Sequence, residues 1–222
     1  MLSFIENIGL ILQRYGAVFA QGLWNTLWLS FVSVFLGTFL GILVALGKLS
    51  RHKLLNGVVS TYIEIIRGTP ILLQLYFFWL ALPNILPSIS DTTCILSALV
   101  VNASAYIAEV IRAGIQAVDA GQREASLSLG MTERAIMTKV IFPQAIKNIL
   151  PALGNEFVTM IKETSLASTF YIGELMYTRT LLMSTKFYAW QPLIIIAAIY
   201  FVVTFVLSKG IQYMEKRMSV SD

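Results

Sequence analysis

The sequence predicts an all-α membrane protein of five transmembrane helices, with its N-terminus outside and its C-terminus in the cytoplasm. Three observations lead there. Of 222 residues, 57% are hydrophobic and 13% charged, against roughly 25% charged in soluble domains. No charge falls between Tyr15 and Gly47; as a helix that stretch is about 50 Å long, more than the roughly 30 Å hydrocarbon core. Lysine and arginine gather in alternate connections. Lys48, Arg51 and Lys53 lie in the first, Arg123, Arg134 and Lys139 in the central one, and Lys209, Lys216 and Arg217 at the C-terminal end, whereas 84–93 has neither. The positive-inside rule places the basic side in the cytoplasm. The net charge of +4 is spread over these loops, which reports topology and leaves no footprint for nucleic acid. Residues 1–222 read as a single transmembrane domain.

Residues 3–13 place apolar side chains at helical spacing and predict a short interfacial helix. No basic region precedes an apolar stretch, so a cleaved signal is not expected. The polar steps Gln21-Gly22 and Trp24-Asn25 mark the membrane edge, and the first span covers 23–47. Gly37 and Gly41 form a GxxxG pair within it, a signal for close helix packing. In the loop that follows, Gly47-Lys48 fails as a phosphate-binding loop. Ile42 stands where the upstream glycine belongs and Leu49 where Ser or Thr is required.

The second span covers 54–83. Glu64 and Arg67 lie one helical turn apart, and Gly68-Thr69-Pro70 predicts a kink or unwinding. The third span, 94–117, carries Asn102, Tyr106, Glu109 and Arg112. The fourth, 145–169, is the polar one, with Asn148, Pro151, Asn155, Glu156, Lys162 and Glu163; the alternation of basic loops requires it. Residues 171–190 form an outer segment, helical in its first part, and the fifth span covers 191–213.

The central cytoplasmic loop, 119–143, has its own local structure. Asp119 can cap a helix with Gln122 as its capping-box partner. Gly130 can end that helix in the left-handed conformation. Thr132 can cap a second helix with Glu133 in its first turn, and Pro143 interrupts or restarts the chain. Leu127, Leu129 and Met131 sit near the glycine turn, flanked by Arg123, Glu124 and Arg134. Such a stretch is either a docking knob with a charged rim or an amphipathic helix on the lipid surface.

Glu124-Ala125-Ser126, three residues, Gly130, nine residues and Val140-Ile141-Phe142-Pro143 resemble the EAA loop of ABC importer permeases. The family pattern is E-A-A, three residues, G, nine residues, I-x-L-P. Ser126, Val140 and Phe142 depart from it. Three further stretches resemble the polar amino-acid branch of these permeases, which takes histidine, arginine, glutamine, glutamate or cystine. They are Arg67-Gly68-Thr69-Pro70 with Gln74, Asn102-Ala103-Ser104-Ala105-Tyr106 with Glu109, and Lys162-Glu163-Thr164-Ser165-Leu166. The resemblance implies the type I ABC importer permease fold and a membrane-spanning subunit of an ATP-driven importer of polar amino acids. It implies that Arg123, Glu124, Ala125, Ser126, Leu127 and Gly130 couple to the ATPase. The implied partners are two ATP-binding subunits, a second permease copy or a similar permease, and an extracytoplasmic amino-acid-binding protein. ATP hydrolysis is expected on a separate chain, with no cofactor on this one.

Charges at membrane depth face the protein interior or a water-filled path. Lys162 and Glu163, with the hydroxyls of Thr164 and Ser165 beside them, are therefore candidates for the substrate pathway, and Asn102 and Tyr106 of the stretch that resembles the family join them. Glu64, Arg67 and Glu109 are structural or gating charges, with Arg67 expected to pair with Glu109 and Lys162 with a carboxylate. Lys162 and Glu163 point in different directions on a helix and cannot neutralise each other well. No catalytic set is present. His52 is the only histidine and stands among basic residues, Cys94 is the only cysteine, and neither a triad nor a metal site can be assembled. The alternative is an ATP-independent channel or proton-coupled secondary transporter with Glu109, Lys162 and Glu163 as its relay. No inverted repeat supports it.

Overall fold

The uncharged stretch near the N-terminus becomes part of one unbroken helix. In the computed structural model, α1 spans Leu2–Lys48, about 70 Å at 1.5 Å per residue. The backbone is described for residues 2–186 and 190–219; residues 187–189 of the expected outer segment lie outside the described residues. The separate interfacial helix expected at 3–13 is not formed. Ile11 and Phe19 on α1 are buried against Leu175, Leu182, Ile195 and Ile196 from far along the chain, and this packing carries the helix straight through the predicted membrane edge.

The break expected at 68–70 in the second span is present. The span is two half-helices, α2 (Lys53–Gly68) and α3 (Ile71–Ile85), bent by 108°. Pro70 lacks an N–H and forces its predecessor out of the helical region; Thr69 is extended at φ −116°, ψ 145°. The carbonyls freed at the break find a donor in Gln74. Its Nε2 donates to Ile66 O at 2.7 Å, to Thr69 O at 3.2 Å and to Thr69 Oγ1 at 2.9 Å.

Helix α4 (Asp91–Gln116) is the centre of the fold. Ser90 caps it, accepting from Thr93 N at 3.2 Å. The glycine pair on α1 serves this helix. A Cβ at Gly37 would stand 2.7 Å from Ala103 Cβ, and one at Gly41 would stand 3.0 Å from both Ile107 Cγ2 and Ser104 O. The core joins Leu29 of α1, Leu75 of α3, Leu99 and Ile107 of α4, and Met160 and Phe170 further on.

After α4 come α5 (Ala120–Ser128), α6 (Glu133–Ile136) and a π-helical segment, Met137–Ile141, that runs into α7 (Phe142–Glu163). Pro143 therefore restarts the chain through a register shift, with Phe142 N donating to Met137 O. A 3₁₀ stretch, Thr164–Phe170, leads to α8 (Tyr177–Lys186) and α9 (Gln191–Ser219). Among the described residues, α1, α4 and α9 are long and apolar enough to cross a membrane, and α2 with α3 forms one bent pair that passes the same test. Helix α7 has the length of a span, about 33 Å, and a more polar composition.

Candidate functional site

Three charged residues, Arg67, Glu109 and Arg112, come together where the α2–α3 elbow meets α4. Arg67, in the last turn of α2, brings Nη1 to 3.5 Å from Glu109 Oε2. Its guanidinium lies 5.2 Å from the centre of the Tyr106 ring. Tyr106 and Glu109 are three residues apart on α4 and share a face. Glu109 also receives Arg112, whose Nε is 3.1 Å from both carboxylate oxygens and whose Nη2 is 2.8 Å from Oε2. Arg112 Nη1 continues to Gln116 Oε1. The expected Arg67–Glu109 pair is present. Glu64 is exposed, and Arg67 turns away from it to meet α4.

Asn102 is buried, and its Nδ2 donates to Gln74 Oε1 at 3.0 Å. It fastens α4 to the elbow from behind the charged face. Thr164 is likewise buried, with Oγ1 donating to Ile161 O at 2.9 Å. Ser165 Oγ donates to Lys162 O at 2.6 Å.

Lys162 corrects an expectation: among the described residues it has no carboxylate within ion-pair distance. Successive residues on a helix diverge by about 100°. Lys162 and Ser165 accordingly line a crevice of about 310 Å³ with Met176, Leu193, Ile196 and Tyr200, facing α9. Glu163 turns to another side, where it feels the charge of Glu156; Glu156 in turn feels Arg67. Glu156 and Glu163 are seven residues, almost two turns, apart and share a face of α7. That spacing was the available signal for Glu156, which joins the candidate pathway residues here.

The 119–143 loop folds as a self-contained turn. Asp119 Oδ1 accepts from Gly121 N at 2.8 Å. The expected capping box does not close: the Gln122 side chain faces Gln144, with Nε2 of the latter 3.5 Å from Gln122 Oε1. Gly130 has φ +76°. Gly130 N donates to Leu127 O at 2.9 Å and Met131 N to Ser126 O at 3.1 Å, the two bonds of a Schellman termination. Thr132 Oγ1 accepts from Ala135 N at 3.3 Å, and Arg123 pairs with Glu133 across the turn. Ser126 is buried, donating to Gln122 O at 2.7 Å, while Leu127 and Leu129 are 42% and 83% exposed. Ala125, Glu124 and Arg123 are exposed beside them. The turn thus presents two leucines on a rim of charges.

At 171–176 the structure adds a residue that sequence reasoning missed. Glu174 is fully buried. Its carboxylate accepts from Met176 N at 2.7 Å, Tyr177 N at 2.8 Å and the Tyr200 hydroxyl at 3.1 Å. Beside it, Leu175 N donates to Thr26 Oγ1 at 3.0 Å and Asn25 Nδ2 to Gly173 O at 2.6 Å. Burial pushes the Glu174 carboxyl up to about 7, against the opposing pull of these donors. Its side-chain partners lie on α1 and α9, too distant in sequence to leave a local signal.

Comparison with known proteins agrees with this architecture. Residues 37–220 match the family described as "Binding-protein-dependent transport system inner membrane component". A probable glutamine ABC transporter permease protein, GlnM of Bacillus subtilis, is 35% identical over 97% of this chain and 99% of its own length. The arginine transport system permease protein ArtQ of the same organism is 34% identical over 91% and 93%. A solved amino acid ABC transporter with histidines is 48% identical, with a TM-score of 0.91 over 94% of this chain and 97% of that one. An inward-facing MetNI methionine ABC transporter shares the fold at a TM-score of 0.78 and 19% identity. The chain belongs to the family of binding-protein-dependent transport system inner membrane components: it is the multi-pass permease subunit of an ABC importer in the bacterial inner membrane, with ATP hydrolysis carried by a separate subunit.

Proposed function

We propose that this permease carries polar amino acids, and that its path runs along the face bearing Arg67, Tyr106, Glu156 and Glu163. The observation that carries this reading is the charge arrangement. One guanidinium, held by Glu109 and Tyr106, stands within Coulombic reach of Glu156, and Glu156 of Glu163. An amino acid presents both a carboxylate and an ammonium, and such a face offers each its opposite charge. Lys162 and Ser165 border the path from the α9 side, while Asn102 and Thr164 hold its wall from behind. The amino-acid specificities named for the relatives support the substrate class.

The chain acts as one domain of five spans: α1, the α2–α3 pair, α4, α7 with its 3₁₀ extension, and α9. Its N-terminus is outside and its C-terminus in the cytoplasm, as the basic loops require. A second permease, either a copy or a similar chain, completes the path. Of two ATP-binding subunits, one docks on the turn at 120–130 of each permease, through Leu127 and Leu129 with Arg123, Glu124, Ala125, Ser126 and Gly130 forming its frame. A binding protein delivers the amino acid from outside. ATP-driven closure of the ATPases displaces the turn, tilts α4 and α7, and shifts the assembly between two packed states.

The test is purification of the tagged chain in mild detergent with its neighbours, followed by uptake in liposomes with a panel of amino acids. ATP-dependent uptake with an ATP-binding subunit near one-to-one is expected. Uptake by the chain alone without ATP would overturn the reading.

A further inference from the structure

The 171–176 segment is tied to three helices by one carboxyl group. Glu174 joins the amides that start α8 to Tyr200 of α9, and Thr26 of α1 lies within its hydrogen-bonding group. The backbone of α1 comes unusually close at the same point. A Cβ at Gly22 would stand 2.7 Å from Thr178 Cγ2 and 3.0 Å from Leu175 Cα. The segment follows directly from Thr164–Phe170, the 3₁₀ end of the helix that carries Glu156 and Glu163. Whatever holds 171–176 therefore holds the outer end of the proposed path.

We propose that Glu174 is the pin of a proton-sensitive latch that holds the outer segment against α1 and α9, a positioning residue for transport. The proposal rests on the importer reading above. When the latch is shut, Glu174 is surrounded by uncharged groups. They are Thr26 and Asn25 from α1, Tyr177 and Thr178 from α8, and Tyr200 from α9. From α7, Lys162 shares a crevice with Tyr200; among the described residues no lysine or arginine lies within ion-pair distance of the carboxylate. Release of the segment would return Glu174 to water.

The direction of the proton effect follows from linkage. Shut, the carboxyl titrates at about 7 because of burial; open, it titrates in the ordinary carboxylate range. The shut state therefore binds the proton more tightly. The two amides sit on different oxygens, Tyr177 N on Oε1 and Met176 N on Oε2, so a carboxyl protonated on one oxygen still accepts from the amide on the other. Acid outside favours the shut latch, and that stabilisation is lost as pH rises through about 7.

The experiment uses the complete importer in liposomes, with its ATPase and binding protein, and records uptake against outside pH between about 5.5 and 8.5. Wild-type uptake should rise about fivefold with a midpoint near 7. Glu174→Gln, neutral and of the same shape, should give a flat profile at the acid-side level. Tyr200→Phe removes one donor to the ionised form and should move the midpoint upward. A Gln variant that keeps the wild-type profile would overturn the latch. If that variant fails to assemble, an unmoved midpoint in Tyr200→Phe would do the same. Absence of wild-type uptake at every pH would count against the importer reading instead. The latch would then be judged by exchange of the Met176 and Tyr177 amides, whose extra protection below pH 7 must disappear in Glu174→Gln.

Discussion

Arg67 and Glu109 meet at 3.5 Å between the last turn of α2 and the second half of α4, with the Tyr106 ring under the guanidinium. The two partners are not equivalent. Arg67 is 42% exposed and Glu109 only 18%, and Glu109 alone binds a second arginine. Glu109→Gln should destabilise the purified permease by about 1–2 kcal/mol, after allowance for solvent screening. Arg67→Gln should cost less than about 1 kcal/mol, because Arg112 still satisfies the carboxylate. Thermal unfolding in detergent checks the order; equal losses would show that Arg112 contributes nothing.

Gly130 makes a sharper prediction. Its φ of +76° is disfavoured for any residue with a Cβ, yet nothing lies within 4 Å of where that Cβ would be. The penalty is therefore backbone strain and not collision, about 1–2 kcal/mol for alanine. ATPase binding, measured as affinity in detergent, should fall in the order Gly, Asn, Ala, Val, with alanine about tenfold weaker. Full affinity of Gly130→Val would show that the left-handed turn is dispensable.

These two regions also show what the sequence could and could not express. The turn at 119–135 is legible because Asp119, Thr132 and Gly130 act on backbone groups within a few residues of themselves. At 68–70 the proline chemistry announces a break without fixing its angle. The 108° bend is held by Gln74, itself bonded to Asn102 on the next helix. The continuity of α1 depends on Ile195 and Ile196, which no local pattern near residue 13 can reveal. Spacing shows that Lys162 and Glu163 diverge but not what each one meets. Glu174 was invisible for the same reason: an isolated acid in a connecting segment ordinarily stays solvated.

The Gln74–Asn102 pair should behave as a unit. Asn102→Ala leaves the Gln74 carbonyl oxygen without this donor, at about 1–3 kcal/mol. Gln74→Ala uncovers Ile66 O and Thr69 O at the elbow and should cost a similar amount. The double variant should cost clearly less than the sum, a coupling of at least about 0.5 kcal/mol in thermal unfolding. Strict additivity would mean that the elbow does not depend on α4.

Glu163→Gln should preserve assembly and change transport. Loss of one charge from the shared acidic face is expected to raise the half-saturating concentration of cationic amino acids about tenfold, a difference of about 1.4 kcal/mol. Neutral amino acids should be affected less. Glu156→Gln should act in the same direction. Uptake of each amino acid at wild-type level would remove both residues from the path.

The glycines of α1 supply a packing prediction. Gly37→Leu drives a side chain into Ala103 of α4, and overpacking of this kind costs about 1–3 kcal/mol. Reduced yield of folded, membrane-inserted protein is expected. Gly9→Leu, with nothing within 4 Å, is the matched control and should be silent.

An unbroken rod is also a lever. Helix α1 touches α2 through Gly47 and Val59 near one end and Leu182 of α8 near the other. Over about 70 Å of helix, a tilt of about 5° displaces one end relative to the other by about 6 Å. A small rotation imposed at the α2 end would thus arrive magnified at the α8 end, without any side chain having to relay it.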